Sequence, residues 1–483
     1  MQERYQAQVP VTHRAEVVVA GGGLGGVAAA LASARAGAKT LLVERNGYLG
    51  GVATAGMCCS VFHCLATFDR KIAVQGIPYE IVDALATRAG AGAGWQAHKG
   101  HIVYDVEKAK LLLHELLDEA GVTVLLDAPV VDVLMQDRRV TGLVLAGSEG
   151  LFAVHAQNVV DATGDSLVAW RAGAPMREGL SKPTGGCKHS YVFRMSNVDL
   201  DAFMDYFRRN PEQYAENMDI EWTLPEALAQ FDAYGTLLFP HGGGVQMKIV
   251  KDALADGTLS LRLGMYDTLD AMQMHGIRKD GIMHIITGFT TVEGLDADTL
   301  SRAVLDGRRM AAHVAAFFQQ RMPGFEKAYI SATADDLGIR ASRWIDGEST
   351  FTQEDKRNPS RFPDAIGVGV VEHHEVMHGG KGAWTAQRFT NDVYQIPLSC
   401  LLPRDIDGVV MGAGRGASTD PAALLRVMVV TMSCGQGAGV AAAVAARAGV
   451  PVRQAAYADV RAELVRQGVA LAAEEEGACA GMN

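Results

Sequence analysis

The chain has 483 residues, of which 48% are hydrophobic, 20% charged and 54 are glycine. Glycine is thus about 11% of the chain against roughly 7% in ordinary proteins, yet no Gly-X-Y period runs through it, which excludes collagen-like and disordered classes. Lys and Arg number 44 against 55 Asp and Glu, a formal charge of −11 without long blocks of one sign, which argues against nucleic-acid and anionic-membrane partners.

Glu16 to Ala20 (EVVVA) predicts a buried strand, and it runs into Gly21-Gly22-Gly23-Leu24-Gly25-Gly26. The Ala-rich stretch that follows predicts a helix stopping at Gly37, where a glycine C-cap fits. Thr40 to Val43 predicts a second buried strand ending in Glu44, which completes a βαβ unit. Val106 to Ala120 has helical spacing, and Gly121 ends it before a strand over Val122 to Leu126. Val130 to Met135, Arg139 to Ala146 and Leu151 to His155 alternate with turn signals, the pattern of an antiparallel meander. Asn158 to Asp161 then predicts a separate strand returning to the first sheet.

After about residue 171 the composition shifts towards aromatics, His, Arg and irregular loops, with an amphipathic helix around Asp298 to Gln320. Val409 to Met411 predicts another buried strand, followed by GAGRGAS and a long apolar segment. That segment, VMVVTMSCGQGAGVAAAVAA, has twenty uncharged positions, but nine are Ala or Gly, a weak insertion signal; a buried helix is expected and no membrane span. The two ends share a character that the middle lacks. The expected fold is α/β, a Rossmann-like nucleotide-binding domain with a parallel sheet and an antiparallel β-meander, formed by residues 1–170 and 396–483. An α+β substrate domain over 171–395 would be inserted in it. Seven cysteines in a large chain do not make a disulfide framework, and MQERYQAQVP has no signal-peptide layout, so a cytoplasmic location is expected.

Gly21, Gly23 and Gly26 form a G-x-G-x-x-G between strand and helix, and Glu44 ends the next strand 18 residues after Gly26. This is the dinucleotide fingerprint: glycines let the backbone approach a pyrophosphate, which sits on the helix N-terminus, and the carboxylate accepts from a ribose. Glu44 favours an unphosphorylated ribose, as in FAD or NAD.

Four further segments separate those two: Gly50-Gly51-Val52-Ala53-Thr54-Ala55-Gly56, Asp161-Ala162-Thr163-Gly164-Asp165, Gly412-Ala413-Gly414-Arg415 and Gly435-Gln436-Gly437-Ala438-Gly439. Together with Pro323-Gly324-Phe325, Leu337-Gly338-Ile339-Arg340, Phe362-Pro363-Asp364-Ala365-Ile366 and Ile396-Pro397, they make the chain resemble the FAD-dependent oxidoreductase family related to the fumarate reductase flavoprotein, within the glutathione-reductase-type flavin fold. The resemblance implies that the loop from Gly21 to Gly26, including Leu24 and Gly25, holds the pyrophosphate of FAD, and Glu44-Arg45 the adenosine ribose. It implies that Val130 meets adenine through its backbone, and that Gly50, Gly51, Ala53 and Thr54 line the ribityl and isoalloxazine region. Thr163, Gly164 and Asp165 would close over the pyrophosphate. Gly414, Arg415 and a helix starting near Gly435, with Ala438, would cover the ribityl and pyrimidine end.

Other motifs have two readings each. Cys59 and Cys64 have a C-x4-C spacing reminiscent of a redox dithiol, but they lie late after the double glycine and no second G-x-G-x-x-G exists for a nicotinamide. Cys58, Cys59 or His63 could instead carry covalent flavin, or simply line the core. His374 to His378 matches H-E-x-x-H, but Gly379, Gly380 and Gly382 break the helix that zinc ligation needs, so no metal is expected. The resemblance places a histidine at about this distance near the flavin, making His373 and His374 candidates for the proton acceptor or donor. Arg340 and Arg343 either clamp a substrate or bridge to Asp335, Asp336 or the FAD. Ala341 stands where the family carries an acidic residue. His241 and His284 are pocket candidates or ordinary loop and core histidines.

The expected activity is hydride movement between a small polar organic substrate and flavin N5, with His moving the proton and Arg orienting the substrate. Electrons would leave to oxygen, a quinone or a protein, and a homo-oligomer is compatible with this reading. The alternatives are an electron-transfer flavoprotein subunit of a larger redox complex, or a non-redox use of FAD. The cysteine positions show no four-cysteine cluster pattern for the former.

Overall fold

Val17 to Ala20 are wholly enclosed and end a strand, β1 (Val11–Ala20), that is longer than its apolar core alone predicts. The computed structural model describes residues 7–61, 65–67, 71–90, 92, 94–97, 101–177, 188–215, 222–239, 247–260, 263–264, 266–268, 272–291, 295–357, 361–370 and 393–471. Helix α1 (Leu24–Arg35) follows β1, and the chain turns at Gly37, whose φ of 89° suits glycine. Strand β2 (Thr40–Val43) then pairs parallel with β1. Next come a short ribbon of β3 (Ser60–Val61) and β4 (Ile102–Val103), with α2 (Ile77–Ala89) between its strands. Asp105 caps α3 (Val106–Glu119), accepting from the Lys108 N–H, and β5 (Thr123–Leu125) joins β2 in parallel.

The meander is β6 (Val130–Gln136), β7 (Arg139–Gly147) and β8 (Gly150–Asp161). Here the structure corrects the expectation of two strands between Leu151 and Asp161. β8 is a single strand whose first half pairs antiparallel with β7. Its last residues pair parallel with the strand Val409–Met411, while β1 runs along its other side from Ala153 to Asp161. Twelve residues can serve both layers because the His155 to Gln157 stretch continues the extended pleat without a turn residue. The sheet order is β5-β2-β1-β8-β7-β6, with Val409–Met411 also on β8. A short helix, α4 (Leu167–Arg171), follows β8.

A second sheet runs through the inserted residues, in the order Thr236–Phe239, Gln273–Ile277, Ile282–Thr291, Lys188–Ser196, Tyr329–Thr333. One face packs under the helix Ala297–Arg321, capped by Asp296, and builds an aromatic core from Phe193, Phe203, Phe207, Phe239, Phe318 and Phe325. Ile345, Phe351, Ile366 and Val368 belong to the first core, so the chain before residue 396 contributes to both.

The apolar helix Met428–Ala448 is nearly all buried among protein neighbours. It crosses α1 at backbone distance: a side chain on Gly435 would overlap the Gly25 carbonyl, and one on Gly439 the Ala29 carbonyl. Gly437 packs on Ile366 and Gly367 on Ser433 on other faces of the crossing. A helix surrounded on all sides is apolar all round, which accounts for its resemblance to a membrane span.

Candidate cofactor and active site

Strands β1, β2, β8 and Val409–Met411 are parallel, and their C-terminal ends at Ala20, Val43, Asp161 and Met411 lie side by side, where α/β sheets bind ligands. Each end runs directly into a glycine-bearing or acidic segment. The three fingerprint glycines have separate jobs. Gly21, at φ 99°, lies so close to the next crossover that a Cβ would come within 2.6 Å of the Ala162 carbonyl oxygen. At Gly26 a Cβ would overlap the Gly21 carbonyl, so that residue lets α1 press on β1. Gly23 is different. Its φ of −64° and ψ of 173° suit any residue, and a Cβ would meet nothing nearer than the Gly51 Cα at 4.0 Å. Among the described residues the space beside Gly23 is open, and α1 begins there with no side-chain cap and no acid in its first turn. Leu24, Gly25 and Gly26 thus start a helix whose positive end is offered to an anion. This cradle fits the pyrophosphate of FAD.

Glu44, only 6% exposed, ties the cradle together. The Gly22 N–H donates to its Oε2 at 2.6 Å and the Asn46 N–H to its Oε1 at 2.9 Å. Burial pushes its carboxyl above the usual range, opposed by those two N–H groups and by Arg45. Each oxygen keeps acceptor capacity for a ribose hydroxyl. Replacing Glu44 by Ala removes the carboxylate expected to meet the ribose and orphans the buried Gly22 N–H. The expected result is a colourless protein destabilised by about 2 kcal/mol, read from flavin absorbance and urea unfolding.

The second segment folds against the first. Gly50 (φ 114°) and Gly51 (φ 54°) make a left-handed turn bridged to Gly23, and a Cβ on Gly51 would come within 3.0 Å of the Gly23 Cα. The Thr54 hydroxyl donates to the Leu49 carbonyl at 2.6 Å, so it shapes the turn. Ala53 is buried behind it, and the Tyr104 hydroxyl reaches the carbonyls of Cys58 (3.0 Å) and Ala53 (3.4 Å). Arg45 pairs with Asp336 at 2.6 Å and Tyr48 bonds to Asp335, so these two acids brace the β2 turn. Val130 opens β6 opposite Leu145 and is half-buried.

Asp161 is enclosed at the end of β8 and accepts from the Thr163 N–H and hydroxyl and from the Ala169 N–H, so Thr163 and Asp161 together shape the entry to α4. Gly164 (φ 75°) exposes its carbonyl to Arg415 Nε at 2.6 Å. Arg415 also donates to the Ile339 carbonyl and to Asp165 Oδ1 (2.8 Å). The Ser342 hydroxyl donates to the same Asp165 oxygen at 2.6 Å, and Ser166 Oγ to the Arg343 carbonyl at 3.1 Å. The segment 339–343 is thereby stapled to the cofactor segment 163–166. Arg415 acts as a tie between three chain segments, with Gly414 packed on Leu425.

The two arginines diverge. The Arg343 guanidinium lies 4.3 Å from the Trp170 ring centroid, and its enclosed Nη1 has no hydrogen-bond partner. The Arg340 N–H donates to His189 Nδ1 at 3.4 Å, and its charge acts on the half-buried Cys58 thiol, as does that of Arg426. Arg426 directly precedes the helix Met428–Ala448, which has no side-chain cap and no acid in its first turn. This corrects the helix start expected near Gly435. Gly435 and Ala438 lie inside the helix, Gly435 against α1, and the uncapped helix start is at Val427 to Val430. The repeated glycines signalled close helix packing, and the missing cap was hidden inside the apolar run.

Among the histidines, His373, His374 and His241 lie outside the described residues, as do Cys64 and His63. Among the described residues no group of three or more His, Cys, Asp or Glu is arranged to hold a metal ion. His284 sits in the strand Ile282–Thr291 with no exposure, and neither ring nitrogen has a hydrogen-bond partner. Burial, reinforced by the positive charge of Arg194, lowers it from 6.5 to about 3, against a smaller opposing effect of Asp105. The folded protein therefore holds His284 neutral while the unfolded chain protonates it below 6.5. Stability falls as pH drops through the window from 6.5 towards 3, by about 1.4 kcal/mol per unit. Urea unfolding at pH 7 and pH 5 checks this: the wild type loses about 2 kcal/mol more than His284→Leu.

His189, Arg426, Tyr104 and Trp170 lie beside these residues without any motif marking them, each more than 40 residues from the Gly21 to Gly26 loop.

Comparison with known proteins supports the cofactor. Thiamine thiazole synthase of Aeropyrum pernix is 34% identical over 170 residues, covering 33% of this chain and 57% of that protein. The enzyme of the same name from Methanothermobacter thermautotrophicus is 32% identical over 157 residues, covering 31% of this chain and 55% of that protein. The chain thus spans a little over half the length of these curated relatives. A geranylgeranyl bacteriochlorophyll reductase-like structure from Thermoplasma acidophilum is 14% identical with a TM-score of 0.48, covering 95% of this chain and 84% of that one. The family described as FAD dependent oxidoreductase matches residues 16–464, nearly the whole chain. That span carries both the glycine cradle and the inserted sheet, and this chain belongs to the FAD dependent oxidoreductase family, as an enzyme that uses FAD.

Proposed function

We propose that the protein moves a hydride between a small polar organic substrate and N5 of its flavin, with Arg340 orienting the substrate and His373 or His374 moving the proton. The observation that carries this reading is the staple between the two parts of the chain. Ser342 to Asp165 and Arg415 to Gly164 and Ile339 hold the Gly338 to Arg343 segment against the cofactor loop. Side chains of the inserted part are thus fixed beside the cofactor groove, where a substrate has to lie to react.

FAD supplies a two-electron acceptor or donor when bound. The Gly23 groove and the first turn of α1 would hold its pyrophosphate, and Glu44 its ribose. The uncapped start of the helix Met428–Ala448, with Arg426, would place positive charge at the pyrimidine end. Arg340 would pair with a substrate carboxylate or carbonyl. Arg343, stacked on Trp170, is assigned to holding the 163–166 loop through its own carbonyl.

Anaerobic mixing of the yellow protein with small acids, alcohols and amines tests the reading. Bleaching by one compound class, slowed at least about tenfold in Arg340→Met, supports it. A substrate that is turned over while the flavin stays oxidised and no acceptor is consumed would replace it with a non-redox role. The second electron partner, whether oxygen, a quinone or a protein, follows from which one restores the colour.

A further inference from the structure

The inserted sheet turns one face towards the β3–β4 ribbon, and that face carries a row of buried polar groups. His275 stands directly opposite His284, and Leu238 opposite His275 on the next strand. Gln273 is two residues before His275, so it shares this face. The alternate residues Met274, Met283 and Ile285 point into the aromatic core, whereas Leu238, Ile277 and Ile282 pack with the nucleotide-binding core. The ribbon lies against the strands Thr236–Phe239 and Gln273–Ile277.

His275 is bonded on both sides. Its Nε2 lies 2.9 Å from Ser60 Oγ and its Nδ1 3.6 Å from Cys59 Sγ. Burial pushes the Cys59 thiol up, so it stays protonated, and both ring nitrogens of His275 have a partner whichever of them carries the proton. His284 and Gln273 are different. His284 is fully enclosed with both ring nitrogens unpartnered, and Gln273, 1% exposed, has an enclosed Nε2 without an acceptor. Each such orphan loses its hydrogen bonds to water on folding and gains none in return, so it destabilises the fold relative to an apolar side chain of similar shape. Leu238, Ile277 and Ile282 on the same face are apolar and buried, so this side of the sheet accepts apolar side chains. A polar residue kept where it destabilises the fold marks a place where a second state supplies its partner.

We propose that Gln273 and His284 form a substrate subsite for an uncharged hydrogen-bonding group, a carbonyl, amide or hydroxyl, reached when the β3–β4 ribbon parts from the inserted sheet. The side-chain amide of Gln273 donates to the oxygen of that group, and the imidazole of His284 donates through one nitrogen and accepts through the other. An uncharged occupant fits a fully buried imidazole that burial and the positive charge of Arg194 keep neutral. Ser60 and Cys59, held by His275, form the wall that has to move. The subsite rests on the oxidoreductase reading only in assigning its occupant to the molecule that is oxidised or reduced.

The test uses FAD-loaded protein carrying 15N-labelled histidine, with the His284 signals identified by their loss in His284→Leu. Acetamide is titrated as the uncharged probe and acetate as a charged probe of the same size. Saturable movement of the His284 ring nitrogens with acetamide, absent with acetate and lost in Gln273→Met, is the expected result. Alongside it, His284→Leu keeps its FAD and melts about 2 °C higher, since the orphan is gone. Equal response to both probes, no response to either, or a lower melting temperature in His284→Leu overturns the subsite. A His284 signal already hydrogen-bonded and insensitive to acetamide does so too, because an internal water would then be the partner. None of these readouts needs turnover, so the subsite can fail while flavin bleaching succeeds, and the reverse.

Discussion

Gly23→Val is expected to give a folded protein without flavin. The backbone at Gly23 has φ −64° and ψ 173°, a conformation valine adopts without strain, and nothing in the protein lies closer than 4.0 Å to the new Cβ. The methyl groups would instead fill the groove in front of α1, where the pyrophosphate has to reach the first-turn N–H groups. Affinity for FAD falls by at least about 100-fold, or about 2.7 kcal/mol. Flavin absorbance against protein absorbance reads the loss, and far-UV circular dichroism with a melt matching that of wild-type apoprotein reads the intact fold. Normal flavin content in this variant would show that the glycine loop is not where the pyrophosphate binds. Gly26→Ala provides the contrast, because its Cβ overlaps the Gly21 backbone and the fold itself gives way.

Gly439→Val is expected to unfold the nucleotide-binding core. Its side chain would overlap the Ala29 carbonyl and the backbone behind it, in the middle of the contact between α1 and the helix Met428–Ala448. Neither helix has room to retreat, since Ala28 to Ala30 and Ala441 to Ala443 are enclosed on their other sides. Overpacking against backbone cannot relax through a rotamer change, so the cost reaches about 4 kcal/mol or more. Soluble yield and urea midpoint measure it. Gly449→Ala, at the end of the same helix with open space around it and a φ of 67°, costs only about 1 kcal/mol and isolates packing from backbone strain. Equal behaviour of the two variants would remove the close helix crossing.

What could be read before folding was local. β1, α1, β2 and Glu44 follow one another within about 34 residues, and each is announced by a short-range signal: β-branched runs, small residues at helical spacing, a glycine that tolerates positive φ. The same holds for α3, the meander and the strand Val409–Met411. Where expectation and structure part, the reason is a neighbour from elsewhere in the chain. The strand β8 runs unbroken because β1, β7 and Val409–Met411 all pair with it, and no single pairing shows in its residues. The glycines around Gly435 looked like a helix start because a glycine-rich segment is common there, but they serve a helix crossing.

The site divides in the same way. The glycine cradle and Glu44 are a continuous stretch whose residue types are dictated by backbone approach and by one carboxylate, so the cofactor is written in the sequence. How the two arginines differ is not, because Arg340 and Arg343 are the same residue type three positions apart. Only the packed protein puts Trp170 beside one and His189 and Cys58 beside the other. Nor does any residue type announce that His275 is satisfied and His284 is not: both are strand histidines facing one another, distinguished by what the β3–β4 ribbon brings to one and withholds from the other. Short-range chemistry therefore specified the nucleotide-binding frame, while burial and pairing between distant segments decided which polar side chains are spent on the fold and which remain for a substrate.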